Sequence, residues 1–284
     1  MTTRAHKRSL LTKVPWFRRY VLENERLRAK LIESGEQIRD LREQQERMAR
    51  DADFLRQARE YEYYWHDAFK RIDIRQLMPF GEVAAHALRD GRTYLNVDRL
   101  YTLWQAVESM PSPARAVAEV GVYRGGSAWF VAEALRRAKK DVPFYVCDTF
   151  QGHVEVDESI DGLHRPGAQF TRVKAEKVVR YLREFPFVRV EVGDIRDTAP
   201  AFAAEHAFGF VHLDVDVYPI MRFCLDFFGP RLVSGGVIVA DDYGTTTCEG
   251  VKKAVDEFAA SNPGFRIFHL LTGQALLTNL VHDA

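Results

Sequence analysis

The spacing of apolar residues changes character twice along this chain, and each change marks a different kind of element. From Leu27 to Leu55 apolar positions recur at alternating steps of four and three. In heptads, Leu31, Ile38, Gln45 and Ala52 take one core position, and Leu27, Ser34, Leu41, Met48 and Leu55 the other. Charged residues fill the flanks. Residues 26–60 are therefore predicted to form a long helix with a coiled-coil seam that joins copies of the chain into a homo-oligomer, a dimer or higher. Across residues 61–110, Tyr61, Trp65, Phe69 and Phe80 are mixed with charges, and Leu100, Leu103, Trp104 and Val107 then share one helical side. This pattern predicts helices that cap one end of a larger domain.

From about residue 111 to 284 short apolar runs alternate with helical stretches. Strands are predicted near 116–121, 143–147, 187–191, 209–213, 236–240, 265–269 and 275–280, and helices near 126–139, 172–184, 197–204, 219–228 and 249–260. Alternation of the first five strands with helices requires right-handed crossovers and a mostly parallel sheet. The last two strands are joined through Thr272-Gly273-Gln274, too short a link for a parallel crossover, so the seventh strand is expected to run antiparallel. The fold class is α/β, a doubly wound sheet of seven strands.

Composition narrows the function classes. A length of 284 residues holds one sizeable domain with an appendage. Forty basic and forty acidic residues cancel, so no global field favours nucleic acid. Cys147, Cys224 and Cys248 have no CxxC spacing, which argues against a disulfide framework or a zinc cluster and for a reducing compartment. No apolar run approaches the roughly 18 residues of a spanning helix, and Met1 to Tyr20 lacks a secretory apolar core, so the expected location is cytoplasmic. Residues 1–25 form a basic tail, with Arg4, Lys7, Arg8 and Lys13 interleaved with Trp16, Phe17 and Tyr20. Such a tail suits peripheral contact with an anionic membrane or with polysaccharide-assembly machinery.

The candidate chemistry sits at the strand ends. After the first strand, Gly121, Gly125 and Gly126 precede Ser127 in a G-x-x-x-G-G spacing, not the G-x-G-x-x-G of a pyrophosphate cradle. A free helix N-terminus with a serine hydroxyl there suits a carboxylate, such as that of a methionine moiety. Asp148 closes the second strand, where an acid accepts hydrogen bonds from ribose hydroxyls. Asp194, followed by Ile195, closes the third and is placed to accept from an adenine amino group. Methionine, ribose and adenine contacts in that order imply S-adenosylmethionine.

Two aspartate pairs close the next strands, Asp214 with Asp216 and Asp241 with Asp242, and 27 positions separate Asp214 from Asp241. Four carboxylates at one sheet edge repel each other unless a cation lies among them, and a hard divalent ion is the simplest candidate. The bland alternative is that Asp216 caps the helix beginning at Pro219, and that Asp241-Asp242-Tyr243-Gly244 is a turn capping the next helix.

Together, Glu119-Val-Gly-Val-Tyr-Arg-Gly-Gly-Ser127, Asp148-Thr-Phe-Gln-Gly152, His212-Leu-Asp-Val-Asp-Val-Tyr218, Ser234-Gly-Gly236 and Val239-Ala-Asp-Asp-Tyr-Gly244 resemble the macrocin O-methyltransferase family over about residues 95–284. Residues 1–60 lie outside this resemblance. It implies a class I methyltransferase fold, Rossmann-like, and methyl transfer from S-adenosylmethionine to a sugar hydroxyl of a natural-product glycoside or a surface polysaccharide. The resemblance further implies that Asp214, Asp241 and Asp242 hold Mg²⁺ or another divalent cation and that Asp216 is the general base. Glu119, Tyr123, Thr149, Phe150 and Asp214 join the cofactor contacts. Val217 stands where catechol methyltransferases, which the metal motifs also resemble, keep a lysine base. His153 is expected in a lid over the cofactor, residues 154–170 as a mobile cover, and His212 as a buried, hydrogen-bonded residue. The rival readings are methylation of a catechol-like phenol, a non-catalytic assembly scaffold and, more distantly, a nicotinamide oxidoreductase.

Overall fold

In a computed structural model, residues 79–112, 114–202 and 207–281 are described, with seven helical positions between Glu23 and Gln45. The chain divides into two units, 1–58 and 59–284, and the sheet belongs to the second. Helices α1 (Phe80–Asp90) and α2 (Val97–Glu108) come first. Five strand–helix repeats follow: β1 (Ala116–Val120), α3 (Gly126–Arg137), β2 (Phe144–Asp148), α4 (Ala175–Leu182), β3 (Val188–Val192), α5 (Ile195–Thr198), β4 (Phe208–Leu213), α6 (Tyr218–Phe228), β5 (Leu232–Ala240) and α7 (Glu249–Ser261). Strands β6 (Phe265–His269) and β7 (Ala275–Asn279) close the sheet as a hairpin.

The strand order is β3-β2-β1-β4-β5-β7-β6. The first five strands are parallel, and β7 runs antiparallel to both β5 and β6. Every residue of β1 and β4 is buried, because these central strands are covered on both faces. On one face Phe208 and Phe228 pack edge to face at 5.2 Å, with Phe202 beside both. On the other, Phe80 of α1 meets Trp104 of α2 and Phe130 of α3. The chain leaves β1 in one direction for β2 and returns on its other side for β4. The carboxyl ends of β1 and β4 thus flank the switch point where open α/β sheets bind ligands.

Three boundaries differ from the periodicity. Strand β5 begins at Leu232 rather than 236: Gly235, at φ 75°, adds an irregular step, and the pairing shifts register between Phe208 and Phe210. The helix expected over 197–204 is the single turn α5 followed by a 3₁₀ turn, Ala199–Phe202, because Pro200 has no N–H with which to continue an α-helix. Helix α4 is shorter than expected, with only Val178 and Leu182 buried.

Of the heptad seam, Leu27, Ser34, Leu41 and Gln45 are helical and exposed. Apart from Glu23, Arg26 and Lys30, which are also helical and exposed, the rest of the 26–60 segment, the basic tail and residues 61–78 lie outside the described residues. Among the described residues, no helix is long and apolar enough to cross a membrane.

Candidate active site

Four strand ends turn sharply into one cavity, and each does so through a non-glycine residue in the left-handed region: Tyr123 (φ 50°) after β1, Phe150 (52°) after β2, Asp216 (63°) after β4 and Asp242 (57°) after β5. Such conformations cost of order 1–3 kcal/mol each and persist where the surroundings fix them, which is common at ligand sites. Gly121 makes the closest of these approaches. At φ 86° a Cβ there would lie 1.7 Å from the Asp214 carbonyl oxygen, so only glycine lets the β1 turn pass the end of β4.

At the β1–β2 end, helix α3 opens with no side-chain cap, and Ser127 beside it is buried and lines the cavity. Asp148 accepts from the Val122 and Tyr123 N–H groups at 2.7 and 2.8 Å and from the Phe150 N–H at 2.7 Å. It therefore braces the glycine turn with three of its roughly four acceptor positions. Asp194 caps α5 through the Arg196 N–H and grips the Arg196 guanidinium, with one contact at 2.6 Å. That ion pair holds its carboxyl below the usual range despite burial.

Among the sequence-predicted residues, Gly121, Tyr123, Ser127, Asp148, Thr149, Asp194, Ile195, Asp214, Asp216 and Asp242 all line this cavity, whereas Glu119, Gly125, Phe150 and Asp241 do not. Phe150 is buried under the β2 turn, and Gly125 faces Val178 of α4. Glu119 points into the sheet interior, where it meets His212 Nδ1 at 2.9 Å. His212 is fully buried, and its Nε2 lies 3.3 Å from Asp241. Burial opposes a charge on His212, but the bonds to Asp241 and Glu119 outweigh it and lift the imidazole to about 10.

Among the described residues, the aspartates form a crowded group with two cations, Arg99 and His212. Arg99 of α2 reaches Asp241 Oδ1 at 2.7 Å and Asp242 Oδ1 at 2.9 Å. It had no local signal in the sequence. Arg99 and His212 do not neutralise the four aspartates and Glu119. Burial, then the Asp241 and Asp216 charges, push Asp214 well above the usual carboxylate range. Burial and the Asp242 charge likewise lift Asp216 to about 8.

Neither capping alternative holds. The first N–H of α6, on Tyr218, is taken by Asp161 at 3.0 Å, and α7 starts at Glu249 without a side-chain cap. Asp161 also fixes the cover over the site. It accepts from the Asp157 N–H, and Gly167 N–H donates to the His153 carbonyl, so the 154–170 segment is pinned to α6 and closed on itself. The cover expected from its irregular sequence is thus joined by side-chain-to-backbone and backbone bonds that no periodicity reveals. His153 lies beneath it, 3.6 Å from Asp216, with its ring against His164 and Phe170.

The chain matches the macrocin-O-methyltransferase (TylF) family over residues 39–263. It belongs to that family. The match starts well upstream of the strand-end motifs and takes in residues 39–60, which the motif resemblance over 95–284 leaves out. A curated relative, 8-demethyl-8-(2,3-dimethoxy-alpha-L-rhamnosyl)-tetracenomycin-C 4′-O-methyltransferase of Streptomyces olivaceus, is 31% identical over 171 residues, 55% of this chain and 64% of that protein. The match thus spans slightly less than two thirds of that relative. The solved O-methyltransferase NovP is 27% identical with a TM-score of 0.59, over 67% of this chain and 83% of NovP. The calicheamicin methyltransferase CalS11 shares the fold at 18% identity and TM-score 0.54, over 78% and 90% of the two chains. The macrocin-O-methyltransferase sheet seen here is the class I S-adenosylmethionine-dependent methyltransferase fold, antiparallel β7 included.

Proposed function

We propose that the protein transfers the methyl group of S-adenosylmethionine to a hydroxyl of a sugar that carries a neighbouring hydroxyl. The observation that carries this reading is Asp216: it faces the ligand cavity, caps no helix, and stands beside three further carboxylates. The uncapped α3 N-terminus and Ser127 receive the donor's carboxylate, and Asp148 and Thr149 stand where its ribose lies. Family membership supports this donor, and the rhamnosyl unit in the name of the Streptomyces olivaceus relative supports a sugar acceptor on a natural-product glycoside.

The donor set also fits Mg²⁺ or another hard divalent cation, since Asp214, Asp241 and Asp242 offer only carboxylate oxygens and the group is short of positive charge. When bound, such an ion lowers the pKa of an acceptor hydroxyl. Asp216 takes the hydroxyl proton, a transfer that lowering of the hydroxyl pKa by the ion brings within reach of a carboxylate. His212 and Arg99 hold Asp241 and Asp242 in place. Alignment of acceptor oxygen, methyl carbon and sulfur supplies most of the remaining acceleration.

Calorimetry with S-adenosylmethionine, with and without Mg²⁺, combined with turnover assays tests the assignment. Asp216→Asn is expected to keep both binding events and lose turnover, and Asp241→Asn to weaken metal binding. Full activity in both variants would overturn it. The exposed helical positions Leu27 and Leu41 support self-association through residues 26–60 as a further part of the proposal. Unchanged sedimentation after removal of residues 1–60 would remove that part.

A further inference from the structure

We propose that His153, His164 and Asp216, with Cys248 at their edge, form a second metal site, suited to a borderline transition-metal ion of the zinc class. One donor atom from each of His153, His164 and Asp216 lies within 4.8 Å of the others. His153 Nε2 and Asp216 Oδ2 are 3.6 Å apart. Zinc bonds of about 2.0–2.1 Å set tetrahedral donor–donor edges of about 3.3–3.4 Å, so this pair needs to close by only a few tenths of an ångström. Cys248 Sγ lies 3.7 Å from His164 Nε2 and 4.0 Å from Asp216 Oδ1.

Two buried nitrogens point to a ligand. The His153 side chain is 8% exposed, and its Nε2 has no hydrogen-bond partner. His164 is 9% exposed, and its Nδ1 also has none. Buried polar atoms are nearly always paired, so two unpaired imidazole nitrogens on the histidines of one small donor group need an explanation. His164 Nε2 lies 3.0 Å from the Thr247 carbonyl. With its proton donated there, Nδ1 carries the free lone pair, which is the support that metal-bound imidazoles usually have from a backbone carbonyl. Burial and the neighbouring His164 lower His153 to about 4, so its ring is neutral and able to ligate at pH 7.

Two imidazoles, a carboxylate and a nearby thiol suit zinc, whereas magnesium prefers oxygen alone. The site is thus chemically distinct from the Asp214, Asp241 and Asp242 group, although Asp216 adjoins both. Cysteine spacing gave no sign of it, because the ligands come from the β2–α4 connection, the end of β4 and the start of α7. Its consequence rests on the proposed role of Asp216: an ion here occupies the lone pair that accepts the acceptor's proton, and so stops methyl transfer.

The test is calorimetric titration of metal-stripped full-length protein with Zn²⁺ in excess Mg²⁺, with Co²⁺ absorption reporting nitrogen and thiolate ligation. One equivalent of Zn²⁺ is expected to bind; His153→Gln and His164→Gln each weaken it about tenfold or more, and Asp241→Asn changes it little. Unchanged zinc affinity in both histidine variants, or complete displacement by Mg²⁺, would overturn the site. If His164→Gln fails to fold, His153→Gln decides alone, since its Nε2 has no bond to lose. Zinc bound through the histidines without inhibition would leave the site standing and remove Asp216 as the base.

Discussion

Arg99 Nη1 lies 2.7 Å from Asp241 Oδ1, joining residues 142 positions apart and tying α2 to the end of β5. The same guanidinium holds Asp242, and its Nε donates to the Thr272 carbonyl at 3.0 Å. Arg99 therefore supplies positive charge where the aspartates most need it. A divalent cation bound by Asp241 and Asp242 has to compete with that guanidinium.

Arg99→Gln is accordingly expected to raise divalent-cation affinity several-fold and to lower the melting temperature of the metal-free protein. Titration with Mn²⁺ followed by electron paramagnetic resonance, alongside thermal melts with and without metal, checks both halves. Weaker cation binding in the variant would mean that Arg99 supports the ion's ligands more than it competes with the ion.

His212 links Glu119 to Asp241 inside the sheet, and its removal leaves buried Glu119 without a cation and Asp241 with Arg99 alone. His212→Gln should destabilise the fold by about 3–5 kcal/mol in denaturant unfolding. The pH dependence has a definite sign. A histidine raised from 6.5 to about 10 contributes its full stabilisation below pH 6.5 and loses it as pH rises through about 10. Wild-type stability should therefore fall across that window, and the variant should lack this component of the slope.

Gly121→Ala forces a Cβ into the Asp214 carbonyl in a backbone region that alanine disfavours. A stability loss of about 2–3 kcal/mol is expected, together with weakened S-adenosylmethionine binding, because the β1 turn and Asp214 must move apart. Unfolding curves and cofactor calorimetry measure the two effects separately.

Much of the fold was legible because its rules are local. Runs such as Phe208–Val211 and Val237–Ala240 are apolar throughout, as strands covered on both faces must be, and the short link through Thr272 fixed the antiparallel end. The aspartates were legible for the same reason: each pair lies at the end of such a run. What stayed hidden depends on contacts between distant segments. Arg99 sits on a helix whose pattern gives no hint of a partner at Asp241. Asp161 caps α6 from 57 positions upstream, so Asp216 looked like a possible cap when read by proximity alone. Glu119, read as a cofactor contact, turns inward because its strand phase matches that of His212 across the β1–β4 pairing.

The central claim is methyl transfer to a sugar hydroxyl, and product analysis tests it most directly. Purified protein is incubated with S-adenosylmethionine, Mg²⁺ and a panel of rhamnosides and other glycosides with neighbouring hydroxyls, beside catechol-like phenols, and products are read by mass spectrometry. The account predicts a glycoside gaining one methyl group on a sugar oxygen, with stoichiometric S-adenosylhomocysteine and loss of turnover in Asp216→Asn. Methylation of the phenols alone, or sugar methylation that survives in Asp216→Asn, would contradict it.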